Sequence, residues 1–189
     1  MIKTHSKKFM ILLLSLCLMN YATALLNNPL NGQKSDMTLD YTAKAATNAN
    51  INAWIIVAGD RESDHSLYYC IESGCEEVYD ILLGLGYSAD NIYYMADDWD
   101  GSLPSIAKNT SEKVHIQYAI ETWAADKVSS SLGLGIFLFD HGGTDSMSLP
   151  GSNLVDSQLD SYLSTLEADT GMTRSVIVYE ACHSGSFIN

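Results

Sequence analysis

The chain has 189 residues, 47% of them hydrophobic, and a formal net charge of −13. This length suits one domain with an export segment, because single domains typically contain about 50 to 200 residues. The acidic balance argues against nucleic acid and anionic membrane surfaces as partners, since both repel a negatively charged protein.

Residues 1–24 have the pattern of a secretory signal peptide. A basic start with three lysines precedes an apolar core at 9–19, and Ala22-Thr23-Ala24 forms a small-x-small cleavage site. The apolar core is shorter than the roughly 20 residues that span a bilayer. We therefore predict export, to the cell exterior, the periplasm or a lysosome- or vacuole-like compartment, with no membrane contact after cleavage. Because three lysines leave with the leader, the formal charge changes from −13 to −16.

Residues 25–50 are rich in Asn, Thr, Ala, Lys and Asp, and they predict a disordered linker or short propeptide before a domain at 51–189. Short apolar runs in this domain predict four strands, at 53–58, 91–96, 136–140 and 174–179. Apolar residues at helical spacing predict three helices, at 66–85, 114–128 and 154–166. Gly74 interrupts the first helical pattern, and its alternative start is about residue 76. The alternation predicts an α/β fold with a parallel sheet and helices on both faces.

Three cysteines follow the leader: Cys70, Cys75 and Cys182. Export permits disulfides, and an odd count leaves one thiol unpaired. Cys70 and Cys75 either form a disulfide across a loop that Gly74 permits, or remain two packed thiols. One continuous helix would give poor geometry for the bridge. In both alternatives Cys182 is the unpaired thiol.

Two of the predicted strands lead directly into chemically active side chains. His141 follows the apolar run 135–139, and Cys182 closely follows the apolar run 175–179. In an open parallel sheet, the carboxyl ends of the strands form the ligand crevice. A cysteine and a histidine that meet there have the arrangement that a thiol nucleophile and its base require. We therefore predict Cys182 as a nucleophile and His141 as its general base.

These motifs resemble a known family. His141-Gly142-Gly143, with Glu180 two positions before Cys182 and a Ser-Gly pair soon after it, is similar to the catalytic pair of legumain-like cysteine peptidases. That family contains asparaginyl endopeptidases and the GPI-transamidase type, and it belongs to the caspase-like superfamily. The resemblance covers roughly residues 53–189. It implies a three-layer caspase-like sandwich that normally has more strands than the four recognised here, so we expect a C-terminally incomplete domain, truncated after the fourth strand.

The resemblance also implies roles for the glycine and for the choice of base. The backbone N–H groups of Gly142 and Cys182 would form an oxyanion hole, since acyl transfer places negative charge on the carbonyl oxygen. His183 is a competing base, because it adjoins Cys182 in the sequence. Successive side chains at a strand end point apart, however, which favours His141.

Glu180 and Arg61 are the predicted substrate-binding residues. Glu180 lies two residues before Cys182, so on a strand it points to the same side. In the legumain-like pattern, this acidic residue lines the pocket for the residue before the cleaved bond. Arg61 follows the first predicted strand, at roughly the place of the family's pocket arginine. Together they suit an uncharged polar side chain such as Asn, or a small Asp-like one. The alternative interpretation is a surface Arg–Glu pair.

The sequence therefore predicts an exported cysteine endopeptidase that hydrolyses a peptide or protein substrate, with specificity after Asn or Asp. The alternatives are a transamidase or peptide ligase, in which an amine replaces water, and an inactive caspase-like binding domain. We expect no cofactor and no metal, because the sequence contains no zinc ligand set and no phosphate-binding loop. The acidic run with Asp97, Asp98 and Asp100 lacks the spacing of an EF-hand.

Overall fold

The computed structural model describes residues 50–59, 65–98 and 101–188. The strands are β1 (Ile51–Ala58), β2 (Ile92–Ala96), β3 (Asn109–Thr110), β4 (Gly133–Phe139), β5 (Gly142–Gly143), β6 (Ser146–Leu149), β7 (Ser152–Val155) and β8 (Ser175–Glu180). The α-helices are α1 (His65–Gly84), α2 (Lys113–Tyr118) and α3 (Asp156–Thr170). The predicted signal peptide, residues 25–49 of the predicted linker, and Arg61 lie outside the described residues.

Five parallel strands form the main sheet, in the spatial order β3-β2-β1-β4-β8. All five residues of β2 and all seven of β4 are buried, which is why their sequences are almost uninterrupted apolar runs. The four predicted strands are present, with ends that differ by at most three residues. The two-residue strand β3 at the sheet edge was not predicted.

Helices cover both faces of the main sheet, so the predicted three-layer α/β fold is confirmed. On one face, Ile71 and Leu82 of α1 are buried against β-strand residues such as Ile56. On the opposite face, α3 contributes its buried stripe to a second apolar cluster, together with the helical segment at 113–126. The buried residues of α3 are Leu159, Leu163 and Leu166. Within the described ranges, no helix is long and apolar enough to cross a membrane.

Helix α1 is continuous from His65 to Gly84, so the alternative start near residue 76 is wrong. Gly74 serves packing instead, because a Cβ at this position would lie 2.9 Å from Cε1 of Phe139 in β4. Its small size lets the helix approach the sheet closely. Cys70 and Cys75 lie on this one helix and are free thiols, which agrees with the alternative without a disulfide.

The other two helices differ from the predicted spans. The predicted helix 114–128 consists of α2, a π-helical segment at Ala119–Trp123 and a 3-10 turn at Ala124–Asp126. Helix α3 begins two residues later than predicted, because Leu154 belongs to β7. It continues to Thr170 and ends at Gly171, whose positive φ of 70° suits a helix C-terminus.

Strands β5, β6 and β7 form a small antiparallel sheet that was not predicted. It occupies the segment between β4 and α3, and its buried residues Met147, Leu149 and Leu154 pack in the same apolar cluster as α3. This small sheet begins one residue after His141. It therefore lies beside the carboxyl end of β4.

Candidate active site at the carboxyl ends of two neighbouring strands

The register of the main sheet brings the two predicted motifs to the same edge. Strands β4 and β8 are parallel neighbours, and Phe139 pairs with Glu180 at the end of the ladder. The backbone N–H of Asp140 donates to the carbonyl oxygen of Glu180 at 3.3 Å, which extends the pairing by one step. His141 and Cys182 each lie two residues beyond the Phe139–Glu180 pair. Both residues therefore follow the carboxyl ends of neighbouring strands, at the same edge of the sheet.

Gly142 lies directly against the segment that contains Cys182. A Cβ at position 142 would overlap the carbonyl oxygen of Cys182 and would lie 2.9 Å from the Cβ of Ala181. Only a residue without a side chain allows this approach of the two backbones. The structure therefore brings the first residue of β5 into contact with the turn after β8.

Cys182 and His183 occupy a turn, not a strand. Strand β8 ends at Glu180, Cys182 is an exposed free thiol, and His183 has a left-handed φ of 58°. The alternation argument that set His183 apart from Cys182, and that placed Glu180 on the side of Cys182, does not apply beyond the strand end. The preference for His141 over His183 as the base stays a prediction. His141 is half-buried at the end of β4.

Hydrogen bonds tie the small sheet to both motifs. The backbone N–H of Asp145 donates to Ser186 Oγ at 2.7 Å, and that hydroxyl donates to the carbonyl oxygen of His183 at 2.8 Å. The backbone N–H of Ser148 donates to the carbonyl oxygen of His141 at 3.0 Å. Asp145 also has a left-handed φ of 54°, which is uncommon outside glycine. These contacts hold the β5–β6 turn against the segment that follows Cys182.

Asp145 and Ser186 were not predicted as residues of the site. The one available signal was the stretch 142–149, in which a glycine pair precedes alternating polar and apolar residues, a pattern typical of a short half-buried strand.

A buried carboxylate adjoins the predicted base. Asp140 is 2% exposed, and its Oδ1 accepts a hydrogen bond from the backbone N–H of His141 at 2.5 Å. Gly59, at the end of β1, makes room for it, because a Cβ there would overlap the Asp140 carboxylate. Burial, followed by the charge of Asp140, raises the pKa of the Cys75 thiol well above its ordinary value. Cys75 is fully buried and stays protonated, so it is not a competing nucleophile.

Glu180 lies at the end of β8 and is half-buried. Burial raises the pKa of its carboxyl group above the ordinary value, because an ionised carboxylate is stabilised less by partly dry surroundings than by water. As the last residue of β8, Glu180 lies at the same edge of the sheet as His141 and Cys182.

In the parts of the chain that the structure describes, no group of three or more His, Cys, Asp or Glu residues is arranged to hold a metal ion.

The geometry agrees with one comparison. Residues 127–189 match the Peptidase C13 family. The match spans about a third of the chain and includes His141, Gly142, Glu180 and Cys182, whereas Arg61 lies outside it. At the level of the family it supports a legumain-type cysteine peptidase. No curated protein matches the chain.

Proposed function

We propose that this protein is an exported cysteine endopeptidase that hydrolyses peptide bonds through Cys182 and His141. One observation carries the proposal: His141 and Cys182 follow the neighbouring parallel strands β4 and β8, and Gly142 lies against the backbone of Cys182. The Peptidase C13 match over 127–189 supports the same class of reaction independently. Export is supported by the leader-like sequence at 1–24.

In this reaction His141 takes the proton of the Cys182 thiol, and the thiolate attacks the carbonyl carbon of the scissile peptide bond. The N–H groups of Gly142 and Cys182 stabilise the negative charge that develops on the carbonyl oxygen. When the C–N bond breaks, His141 returns the proton to the leaving amine. It then takes a proton from water, whose oxygen attacks the thioester carbon. As the C–S bond breaks, the acid is released and His141 returns the proton to the Cys182 thiolate.

Glu180 and Arg61 would select the side chain that precedes the cleaved bond. Glu180 lies at the end of β8, two residues from the nucleophile, and its raised pKa favours the protonated form more than in a free glutamate. A carboxyl group beside a guanidinium offers both hydrogen-bond donors and acceptors, which suits the amide of Asn or the carboxyl group of Asp. Cleavage after Asn or Asp is therefore the specificity we propose.

Turnover of quenched fluorescent casein by the full chain tests the proposal, since casein contains every candidate cleavage site. We expect Cys182→Ala and His141→Ala each to remove nearly all hydrolysis, because the loss of one member of a cooperating catalytic pair lowers the rate about as much as the loss of both. His183→Ala is the matched control and should retain most of the rate. Full activity in His141→Ala with loss in His183→Ala would reverse the assignment of the base.

Two further measurements define the reaction and the location. An added amine that appears at the new carboxyl terminus of the products would indicate a transamidase, whereas hydrolysis leaves a free acid. N-terminal sequencing of exported protein should begin at Leu25 or a few residues later. Exported material that retained Met1 would contradict the signal-peptide assignment.

A further inference from the structure

Tyr179 contacts both the β5–β6 hairpin and the segment that follows Cys182, although the mechanism above does not use it. It lies on β8 and is 6% exposed. Its hydroxyl donates to the carbonyl oxygen of Ser146, the first residue of β6, at 3.2 Å. The hydroxyl oxygen of Tyr179 also lies beside Gly142, because a Cβ at position 142 would be 2.9 Å from this oxygen. One buried hydroxyl thus adjoins both strands of the β5–β6 hairpin.

The ring of Tyr179 reaches the segment on the other side of the site. Its centroid lies 4.6 Å from that of Phe187, with an angle of 55° between the planes. Phe187 belongs to the 3-10 segment Ser184–Ile188, which begins two residues after Cys182. Tyr179 therefore touches the hairpin through its hydroxyl and the segment after the cysteine through its ring.

The surroundings keep the Tyr179 phenol protonated. Burial is the largest cause, and the negative charges of Asp140 and Cys182 add to it, so the pKa lies above the ordinary tyrosine range. The hydroxyl therefore remains a hydrogen-bond donor at every pH at which a peptidase assay is practical. Its bond to Ser146 does not titrate in that range.

We propose that Tyr179 is a positioning residue that holds Gly142 and the β5–β6 hairpin against the Cys182 turn. This inference rests on the proposed function, because it concerns the oxyanion hole of the same reaction. An oxyanion donor acts only when it is held near the position that the charged oxygen will occupy. Loss of the hydroxyl would leave substrate binding intact and would loosen that donor. The effect should therefore fall on kcat and leave KM nearly unchanged.

The substitution Tyr179→Phe tests this, since it keeps the ring contact with Phe187 and removes only the hydroxyl. We expect kcat on a peptide derived from a mapped casein cleavage site to fall about tenfold, the effect of one hydrogen bond. KM and the rate of alkylation of Cys182 by iodoacetamide should stay within about twofold, because alkylation needs no oxyanion hole. The matched control is Tyr87→Phe, which removes a similar bond, from Tyr87 Oη to the carbonyl oxygen of Ile51 at 3.0 Å.

A second variant keeps the inference testable if Tyr179→Phe does not fold. Phe187→Leu retains the hydroxyl bond and weakens the ring contact, so kcat should fall about threefold, again with KM unchanged. If kcat in the folded variants equals that of Tyr87→Phe, Tyr179 is a packing residue and the inference is wrong. Hydrolysis that persists in Cys182→Ala would instead refute the proposed function, and this inference with it.

Discussion

The main sheet and the small antiparallel sheet border the same site, and both pack into the apolar core, but they differ in how completely their strands are buried. Every residue of β4 is buried, whereas buried and half-buried residues alternate along β6. The small sheet is fastened to the site by hydrogen bonds, such as those of Asp145 and Ser148. Apolar burial thus fixes where the two strands end, and polar contacts fix the backbone that adjoins the reacting atoms. Substitutions in the buried strands of the main sheet should mainly alter stability, and substitutions that break the polar contacts of the small sheet should also alter turnover.

The largest effect on stability should come from the main sheet. Ile136 of β4 is fully buried, so Ile136→Ala should lower the free energy of unfolding by about 2–5 kcal/mol. Activity per folded molecule should change little, since no side chain of the site is touched. Urea unfolding together with active-site titration measures both quantities. Val114→Ala, at a residue that is 61% exposed, is the control and should cost less than about 0.5 kcal/mol.

Apart from changes to Cys182 and His141 themselves, the largest effect on turnover should come from Gly142→Ala. The added methyl group would meet the carbonyl oxygen of Cys182, so the two backbones must separate and the oxyanion donor must move. We expect kcat to fall about 100-fold, as when one such donor is lost. Gly84→Ala, where an added Cβ has open space, is the control and should leave kcat unchanged. Equal kcat in both variants would show that the close approach at Gly142 has no catalytic role.

A smaller effect is expected for Ser186→Ala. This change removes the hydroxyl that joins the backbone of Asp145 to that of His183, with a net cost of about 1 kcal/mol per hydrogen bond. Looser contact between the hairpin and the cysteine turn should also lower kcat, by about fivefold. Ser131→Ala, which removes an exposed hydroxyl bonded to Ser129, is the comparison variant for thermal unfolding and kinetics. A drop in stability without a drop in kcat would show that the contact between the hairpin and the cysteine turn does not contribute to turnover.

The smallest effect concerns the pH dependence of stability at Glu180. Its pKa is raised by burial, so the folded state binds more protons than the unfolded state between the ordinary pKa and the raised one. Stability therefore decreases as pH rises through that window. At pH 7, Glu180→Gln should be more stable than the parent, by less than about 1 kcal/mol because the group is only partly buried. The two proteins should converge below about pH 4. A parent that gains stability relative to Glu180→Gln as pH rises would contradict the shift.

The main sheet could be predicted because strands buried on both faces leave continuous apolar runs, as in β4. The small sheet was missed because β5 has only two residues and the alternation of serine with apolar residues in β6 extends over only four. Gly74 was misjudged for a related reason, since only the packed structure shows that it faces Phe139. Local pattern therefore predicted the scaffold but not the pieces that depend on close tertiary approach.

The candidate site was predictable to the same extent. The rule that ligands gather at strand carboxyl ends led to the prediction that His141 and Cys182 meet there, and the structure shows that the strands before them, β4 and β8, are neighbours. The catalytic roles of the two residues stay a prediction. Ser186 and Tyr179 gave no such signal, because their contacts join segments that are more than 30 residues apart in the chain. The left-handed backbone conformations of Asp145 and His183 could not be predicted from the sequence either, since neither residue is a glycine. The predicted role of Arg61 lies outside the described residues and stays a prediction.

Site mapping with an Asn-containing peptide acyloxymethyl ketone tests the central claim most directly, namely that Cys182 is the thiol that His141 activates. We predict that mass spectrometry finds the adduct on Cys182. Labelling should slow strongly in His141→Ala and little in His183→Ala, while the fully buried Cys75 stays unmodified. An adduct on Cys70, or equal labelling of the parent and His141→Ala, would contradict the claim.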